Sequence, residues 1–269
     1  MVQINIYEPS AQRIDVMTLA SKEMLAKELL FDMAADGTNP PILRFLIDNF
    51  DSYADHFSVL KHVYNLQSVD VERVGYDAWS QGQLLSKNWL LDTLSDLDLD
   101  LGMIWTLCGW VGSLGLLMTH RRNRSNYTAI RSFDIDDRCA ILADTLNRPA
   151  VRSGWRFKAT TIDVNQITYD EFTYQTRKYD GSLQTVTDSA DTIINTSCDH
   201  MGSDNTWWDN IPNDKLVILQ NNDWFENDQH NNSVNNLDEF KQMYPMQELL
   251  YEGELDLTLY TRYMLIGRK

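Results

Sequence analysis

The chain of 269 residues is 43% hydrophobic, which excludes a disordered protein and is enough for one large domain or a core domain with a smaller attachment. Its 39 acidic and 23 basic residues give a formal net charge of −16, and this charge disfavours nucleic acid as a partner because a polyanion is repelled. Three scattered cysteines are too few for a disulfide framework and favour a reducing, cytoplasmic location, and no secretory signal opens the sequence.

The first part of the chain has a helical pattern. Apolar residues recur at helical spacing from Leu25 to Met33 and again from Ile42 to Phe50. The segment between them, Gly37-Thr38-Asn39-Pro40-Pro41, should separate two helices, and its prolines exclude helix there. We therefore assign residues 1–78 to a helical N-terminal region and residues 79–269 to a second domain.

A further amphipathic helix is predicted from Gln83 to Leu97. Gln83, Ser86 and Lys87 are three and four residues apart and therefore share one face of that helix. Two interpretations stay open at this point, a solvated polar face or a role at the mouth of a ligand site.

Residues 101–118 carry no charge and are long enough to be weighed as a membrane span. Their glycines, and the acidic residues just before them, favour a strand from Met103 to Leu107, a glycine-rich turn and a helix from Ser113 to Thr119. The next strand, Ala129 to Phe133, ends at Asp134, a carboxylate placed to accept hydrogen bonds from ribose hydroxyls. This order indicates a site for a nucleotide-type cofactor and a chain without a membrane span.

Strands and helices alternate after the glycine-rich turn and then give way to two adjacent strands. The alternation predicts an α/β fold with a doubly wound, mostly parallel seven-stranded sheet, closed by an antiparallel C-terminal hairpin. The remaining predicted elements are a helix at Asp137–Leu146 and strands at Phe157–Ile162, Thr192–Thr196, Leu216–Gln220, Leu249–Leu257 and Leu259–Ile266.

Residues 81–269 resemble the class I S-adenosylmethionine-dependent methyltransferases. The segment Leu107-Cys108-Gly109-Trp110-Val111-Gly112 is similar to the glycine-rich motif of that family, and Asp134 and Asp163 match its acidic positions after the second and third strands. The resemblance implies S-adenosyl-L-methionine as cofactor. The cofactor-binding residues that it implies, together with the polar helix face, are Gln83, Lys87, Cys108, Gly109, Trp110, Gly112, Asp134, Ile135, Asp163, Asn195 and Ser197.

The sequence departs from the family in one place. The family commonly has an acidic residue before the glycines to hold the methionine ammonium group, whereas this chain has Thr106-Leu107-Cys108, so another group must take that role. A dehydrogenase is the nearest rival, but the glycine spacing and the terminal hairpin are foreign to it. The segment Asn39-Pro40-Pro41-Ile42 resembles the motif of amino-methylating enzymes, but it lacks the aromatic residue and precedes the glycine-rich turn, so we interpret it as a helix-breaking loop.

Candidates for chemistry follow the later strands. His200 is the predicted general base because imidazole titrates near neutrality, with a packing or capping role as the alternative. Metal ligation by the histidines and carboxylates of this region is conceivable, but their spacing does not require it, and no metal is predicted. The loop after the strand Leu216–Gln220 is rich in amide and aromatic side chains. This composition suits the binding of a polar substrate, and a loop without a binding role is the alternative. The predicted substrate-binding residues are Asp199, Asn221, Asn222, Trp224 and His230.

We predict a methyltransferase that acts on a small molecule or a protein side chain. A protein that keeps the cofactor pocket but serves as a binding or assembly component is the alternative, and the missing acidic residue before Gly109 favours it. A tRNA methyltransferase is a further alternative. The basic cluster from His120 to Arg124 is interpreted as compensation of a helix dipole at a helix end. The residues do not indicate an oligomeric state.

Overall fold

A computed structural model describes residues 24, 26–31, 41–67, 77–122, 125–202 and 204–269. The predicted break at residues 37–40 lies outside them. Residues 26–31 are helical, and the described α-helices with complete bounds are α1 (Pro41–Asp48), α2 (His56–Gln67), α3 (Gln81–Leu97), α4 (Ser113–His120), α5 (Asp137–Leu146), α6 (Arg148–Arg152), α7 (Thr206–Asp209) and α8 (Leu237–Met243). The strands are β1 (Met103–Leu107), β2 (Ala129–Asp134), β3 (Phe157–Thr161), β4 (Phe172–Arg177), β5 (Leu183–Asp188), β6 (Thr192–Asn195), β7 (Leu216–Asn222), β8 (Glu248–Asp256) and β9 (Thr261–Arg268).

Seven strands form one sheet in the order β3-β2-β1-β6-β7-β9-β8. Strands β3, β2, β1, β6 and β7 are parallel, whereas β9 runs antiparallel to both β7 and β8. This confirms the predicted doubly wound sheet with an antiparallel C-terminal hairpin. The chain proceeds outward from β1 to β2 and β3 and then crosses to β6 on the other side, so a crevice opens at the carboxyl end of β1.

The uncharged stretch 101–118 forms β1, a turn and α4, as predicted. Four of the five residues of β1 are buried, and so are six of the eight residues of α4, which accounts for the absence of charge. Within the described ranges, no helix is both long and apolar enough to cross a membrane.

The helices of the N-terminal region cover one face of the sheet. Leu46 of α1 and Val59 of α2 are fully buried in the same apolar cluster as Leu90 of α3 and Ile104 of β1. The division of the chain at residues 78 and 79 stays a prediction. The expectation that both prolines exclude helix is wrong for Pro41, which is the first residue of α1. A proline is tolerated there because the first residues of a helix need no N–H for the helix hydrogen bonds.

A two-stranded hairpin, β4 and β5, is inserted between β3 and β6 and was not predicted. It is attached to the sheet by aromatic packing of Tyr174 on Phe133 and by an ion pair. Asp188 of the hairpin accepts from Arg131 Nε of β2 at 2.7 Å and from the Tyr174 hydroxyl at 2.8 Å. The Arg131 and Asp188 side chains are 9% and 15% exposed, so this ion pair is largely shielded from water.

Replacing Asp188 with alanine should lower the free energy of unfolding by about 3 kcal/mol, because it leaves a buried guanidinium group without its partner. Denaturant unfolding followed by circular dichroism measures the change. Asp180→Ala in the turn of the same hairpin removes an exposed carboxylate and should change stability by less than about 0.5 kcal/mol. Equal stabilities of the two variants would contradict the anchoring role of Asp188.

Candidate functional site

A cavity of about 380 Å³ lies at the carboxyl ends of β1, β2 and β6. This volume is in the range of sites for small organic ligands. The predicted residues that line the cavity are Gln83, Lys87, Cys108, Gly109, Trp110, Gly112, Asp134, Ile135, Ser197 and His200. Lining residues that the sequence did not single out include Asp77, Thr106, Ser113, Ser132, Thr196 and Gln229.

The turn between β1 and α4 forms the floor of the cavity and has an unusual backbone. Cys108, Trp110 and Gly112 have positive φ angles of 50°, 47° and 73°, a region that residues with a side chain rarely adopt. The turn is held by hydrogen bonds from Gly112 N to Gly109 O at 2.9 Å and from Gly109 N to Phe133 O at 3.0 Å. Strained backbone of this kind clusters at ligand sites.

Asp134 fastens this turn to the end of β2. Its Oδ2 accepts from the backbone N–H of Trp110 at 2.9 Å, and its Oδ1 accepts from the N–H of Asp136 at 3.0 Å. Burial raises the pKa of Asp134, and the two backbone donors oppose this shift. Each carboxylate oxygen has a further lone pair, so Asp134 can still accept hydrogen bonds from a ligand in the cavity.

Gly109 and Gly112 line the cavity, and both also serve close packing within the chain. A Cβ atom at Gly109 would collide with Ser132 Oγ of the neighbouring strand. A Cβ atom at Gly112 would lie 2.8 Å from Asn147 Nδ2 and 3.0 Å from the Phe157 ring. The glycines therefore let the turn lie directly against β2 and β3.

Gly109→Ala should lower the free energy of unfolding by about 1 to 3 kcal/mol, the usual cost of overpacking. The cost is steric, so Ser132→Ala in the same chain should restore most of the stability. Thermal unfolding of the single and double variants measures both effects. If Gly109→Ala costs the same with and without Ser132, the collision with Ser132 Oγ is not its cause.

Lys87 is a buried amine in the wall of the cavity. It is 7% exposed, and its Nζ donates to Gln83 Oε1 one turn earlier on α3. Burial, with a smaller effect of Arg262, lowers the pKa of Lys87 to about 7, and Asp77 opposes the shift. Ser86 is also buried, so the interpretation of this helix face as a solvated surface is wrong.

Cys108 stands at the end of β1, next to the glycines. Burial and the nearby carboxylates Asp134 and Asp199 raise the pKa of its thiol to about 12, so the side chain is neutral. Of the described residues, Asp77 and Asp134 are the carboxylates that line the cavity. Asp77, at the start of the short 3-10 helix Asp77–Trp79, is therefore the candidate for the acidic role that the residues before Gly109 lack.

A second group of polar side chains adjoins the cavity beyond β6. His200 lines the cavity, and its Nε2 lies 3.4 Å from Oδ2 of the buried Asp199. His230, from the loop after β7, places its Nε2 3.1 Å from the same oxygen. Asp199 and His230, predicted to bind substrate, are thus brought beside the predicted general base, although neither lines the cavity.

Five other predicted residues lie outside the cavity lining. Asn221 and Asn222 are fully buried in β7, where they accept from the backbone N–H groups of Asn222 and Trp224, so their role is structural rather than substrate binding. Asn195 is buried and accepts from Ser197 N. Asp163 caps a short 3-10 helix, and Trp224 stacks on Tyr260. Contacts of Asp163 with adenine and of Trp224 with substrate stay predictions.

No protein-family model and no curated protein sequence matches the chain. Solved structures do. The N-methyltransferase NodS from Bradyrhizobium japonicum, in complex with S-adenosyl-L-homocysteine, is 9% identical, with 77% of this chain and 98% of that chain covered and a TM-score of 0.51. Magnesium protoporphyrin IX methyltransferase from Synechocystis is 12% identical, with 82% and 97% covered and a TM-score of 0.49. The likeness to NodS and the order of the seven strands give the chain the fold of the class I S-adenosylmethionine-dependent methyltransferases.

Proposed function

We propose that this protein is a methyltransferase that uses S-adenosyl-L-methionine. The observation that carries the proposal is one cavity, at the crevice of a methyltransferase fold, that combines a strained glycine-rich turn, a carboxylate at the end of β2 and a buried amine on α3. NodS was solved with S-adenosyl-L-homocysteine, the demethylated form of the cofactor, and the likeness to it supports S-adenosyl-L-methionine as the ligand of this cavity.

The residues of the cavity fit the groups of this cofactor. Asp134 has free lone pairs for the two ribose hydroxyls. Lys87 is a buried amine and suits the methionine carboxylate, whereas Asp77 suits the ammonium group. Trp110 and Ile135 offer apolar surface to the adenine ring, since Ile135 is 73% exposed beside the turn.

The cofactor supplies a methyl group that is already activated as a sulfonium, so the protein contributes mainly orientation of the acceptor and exclusion of water. His200 lines the cavity and is the proposed residue at the acceptor side. The proposed acceptor is a small molecule or a protein side chain, because the net charge of −16 disfavours a nucleic acid.

Incubation with methyl-labelled S-adenosyl-L-methionine and separated small-molecule, protein and tRNA fractions of a cell extract tests this activity. We expect label in the small-molecule or protein fraction. Label in tRNA would contradict the proposed acceptor class. Tight cofactor binding without transfer to any fraction would favour a binding or assembly component, the alternative supported by the neutral thiol of Cys108 before Gly109.

A further inference from the structure

We propose that Asp199, His200 and His230 bind a divalent first-row transition metal ion beside the cavity. Asp199 and His200 lie on the short 3-10 helix Cys198–His200 that follows β6, and His230 comes from the loop after β7. Two imidazoles and one carboxylate are a ligand set that suits such ions. The metal site itself does not depend on the proposed methyl transfer.

The distances between the donor atoms match those of metal ligands. The Nε2 atoms of His200 and His230 lie 3.4 and 3.1 Å from Asp199 Oδ2. Taking one possible ligand atom from each of the three residues, these atoms lie within 4.8 Å of one another. Two ligands at about 2.0 to 2.1 Å from one ion, at a tetrahedral or octahedral angle, are separated by about 2.9 to 3.4 Å. Asp199 Oδ2 can therefore share one ion with either histidine, and a side-chain movement of the half-exposed His200 would complete the set of three ligands.

The ring of His230 is held in the orientation that a metal ligand needs. Its Nδ1 lies 3.1 Å from the carbonyl oxygen of Trp224 and must donate to it, which leaves the lone pair of the neutral ring on Nε2. Metal-bound histidines typically donate their other ring N–H in this way. Trp224 is fixed in turn by stacking on Tyr260 at 5.1 Å.

That lone pair faces a carboxylate oxygen, Asp199 Oδ2, at 3.1 Å. Two lone pairs at this distance repel each other unless a proton or a metal ion lies between them. Asn227 Nδ2 also lies 3.1 Å from His230 Nε2, and this amide contact is the one that a metal ion would replace. A metal ion at this point would be held by both His230 Nε2 and Asp199 Oδ2.

Asp199 is a buried charge with incomplete compensation. Its side chain is 2% exposed, and Oδ1 has no hydrogen-bond partner among the residues that the structure describes. The guanidinium group of Arg262 is 3.8 Å from Oδ1, on the oxygen away from the histidines, and donates to the carbonyl oxygen of Thr196. A cation bound at Oδ2, between the two histidines, would complete the compensation of this buried charge.

The position of His200 gives the ion access to the cavity. His200 is 41% exposed on its side chain and lines the cavity, and three protein ligands leave coordination positions open. This step rests on the proposed function: an open coordination position of the ion would hold an oxygen or nitrogen atom of the methyl acceptor. The acceptor would then be a small molecule with a metal-binding hydroxyl, carboxylate or amine group.

Titration of the chelator-treated full chain with Co²⁺, followed by visible absorption and calorimetry, tests the metal site without any cofactor. We expect one Co²⁺ per chain, a visible absorption band, and displacement by Zn²⁺ but not by Mg²⁺. His200→Ala and His230→Gln should each weaken Co²⁺ binding by at least about 100-fold. Loss of a residue that only hydrogen-bonds to a metal ligand costs about 10- to 100-fold, so loss of a ligand should cost at least as much. His62→Gln on α2 is the matched control and should bind as the unchanged protein does.

Folding of each variant is checked by circular dichroism. Because His200 is exposed, its replacement should leave the buried side chains of Asp199 and His230 in place. No binding of Co²⁺ or Zn²⁺ to the folded protein would overturn the proposal. Binding that is equally tight in both histidine variants would also overturn it, since the ion would then lie elsewhere. Neither result affects titration with S-adenosyl-L-methionine, so failure of the metal site and failure of the proposed function are distinguishable.

Discussion

Replacing Asp134 with alanine is expected to weaken the binding of S-adenosyl-L-methionine by about 2 to 3 kcal/mol, or roughly 30- to 150-fold. The physical reason is the loss of a charged acceptor for two ribose hydroxyls. Asp134 also accepts from Trp110 N and Asp136 N, so the variant should lose some order in the glycine-rich turn. Calorimetric titration of the folded variant measures the change in affinity.

Asp180→Ala is a matched control for this experiment. Asp180 accepts from the N–H of Ser182, two residues later, as Asp134 accepts from Asp136, but it lies in the turn between β4 and β5. Its removal should leave the affinity unchanged. If the folded Asp134→Ala protein bound the cofactor as tightly as the control, the assignment of Asp134 to the ribose would be wrong.

Lys87→Met should weaken binding of the same cofactor by about tenfold to a hundredfold near pH 6, because it removes a charged donor to the methionine carboxylate. Methionine fits the space of the buried lysine stem without a charge, so the fold should persist. Lys61→Met, an exposed lysine on α2, is the control and should bind normally. Equal affinities of the two variants would show that Lys87 does not contact the cofactor.

The pH dependence gives a second test of Lys87. Its pKa in the free protein is about 7, because burial and Arg262 lower it more than Asp77 raises it. The carboxylate binds the protonated amine, so affinity should be full below pH 7 and fall by up to about tenfold per pH unit above it. Lys87→Met should lose this part of the pH dependence and keep only the part that belongs to the amino group of the cofactor itself.

The sequence predicts the centre of the sheet well because its signals there are local. The buried run Met103–Leu107, the glycines and Asp134 each have a physical meaning within a few residues, and the structure has β1, the turn and β2 at the predicted positions. Asp137–Leu146 is helical over the predicted residues because Asp136 caps its first turn. These are the elements that form the cavity floor.

Contacts between distant segments were not predictable in the same way. His230 reaches Asp199 only because β6 and β7 are neighbours and the following loops meet, and no spacing of residues indicates this. The amides of Asn221 and Asn222 look like ligand-binding groups in the sequence, but they are buried because β7 extends two residues beyond its predicted end. In the hairpin, β4 alternates between buried and exposed residues as a strand does, whereas most of β5 is exposed and gives a weaker pattern.

Calorimetric titration of the purified protein with S-adenosyl-L-methionine, with NADH as the control, tests the central claim most directly. We predict micromolar binding of one S-adenosyl-L-methionine per chain and no binding of NADH. Absence of binding to the folded protein would contradict the claim and would leave a methyltransferase fold that has lost its cofactor.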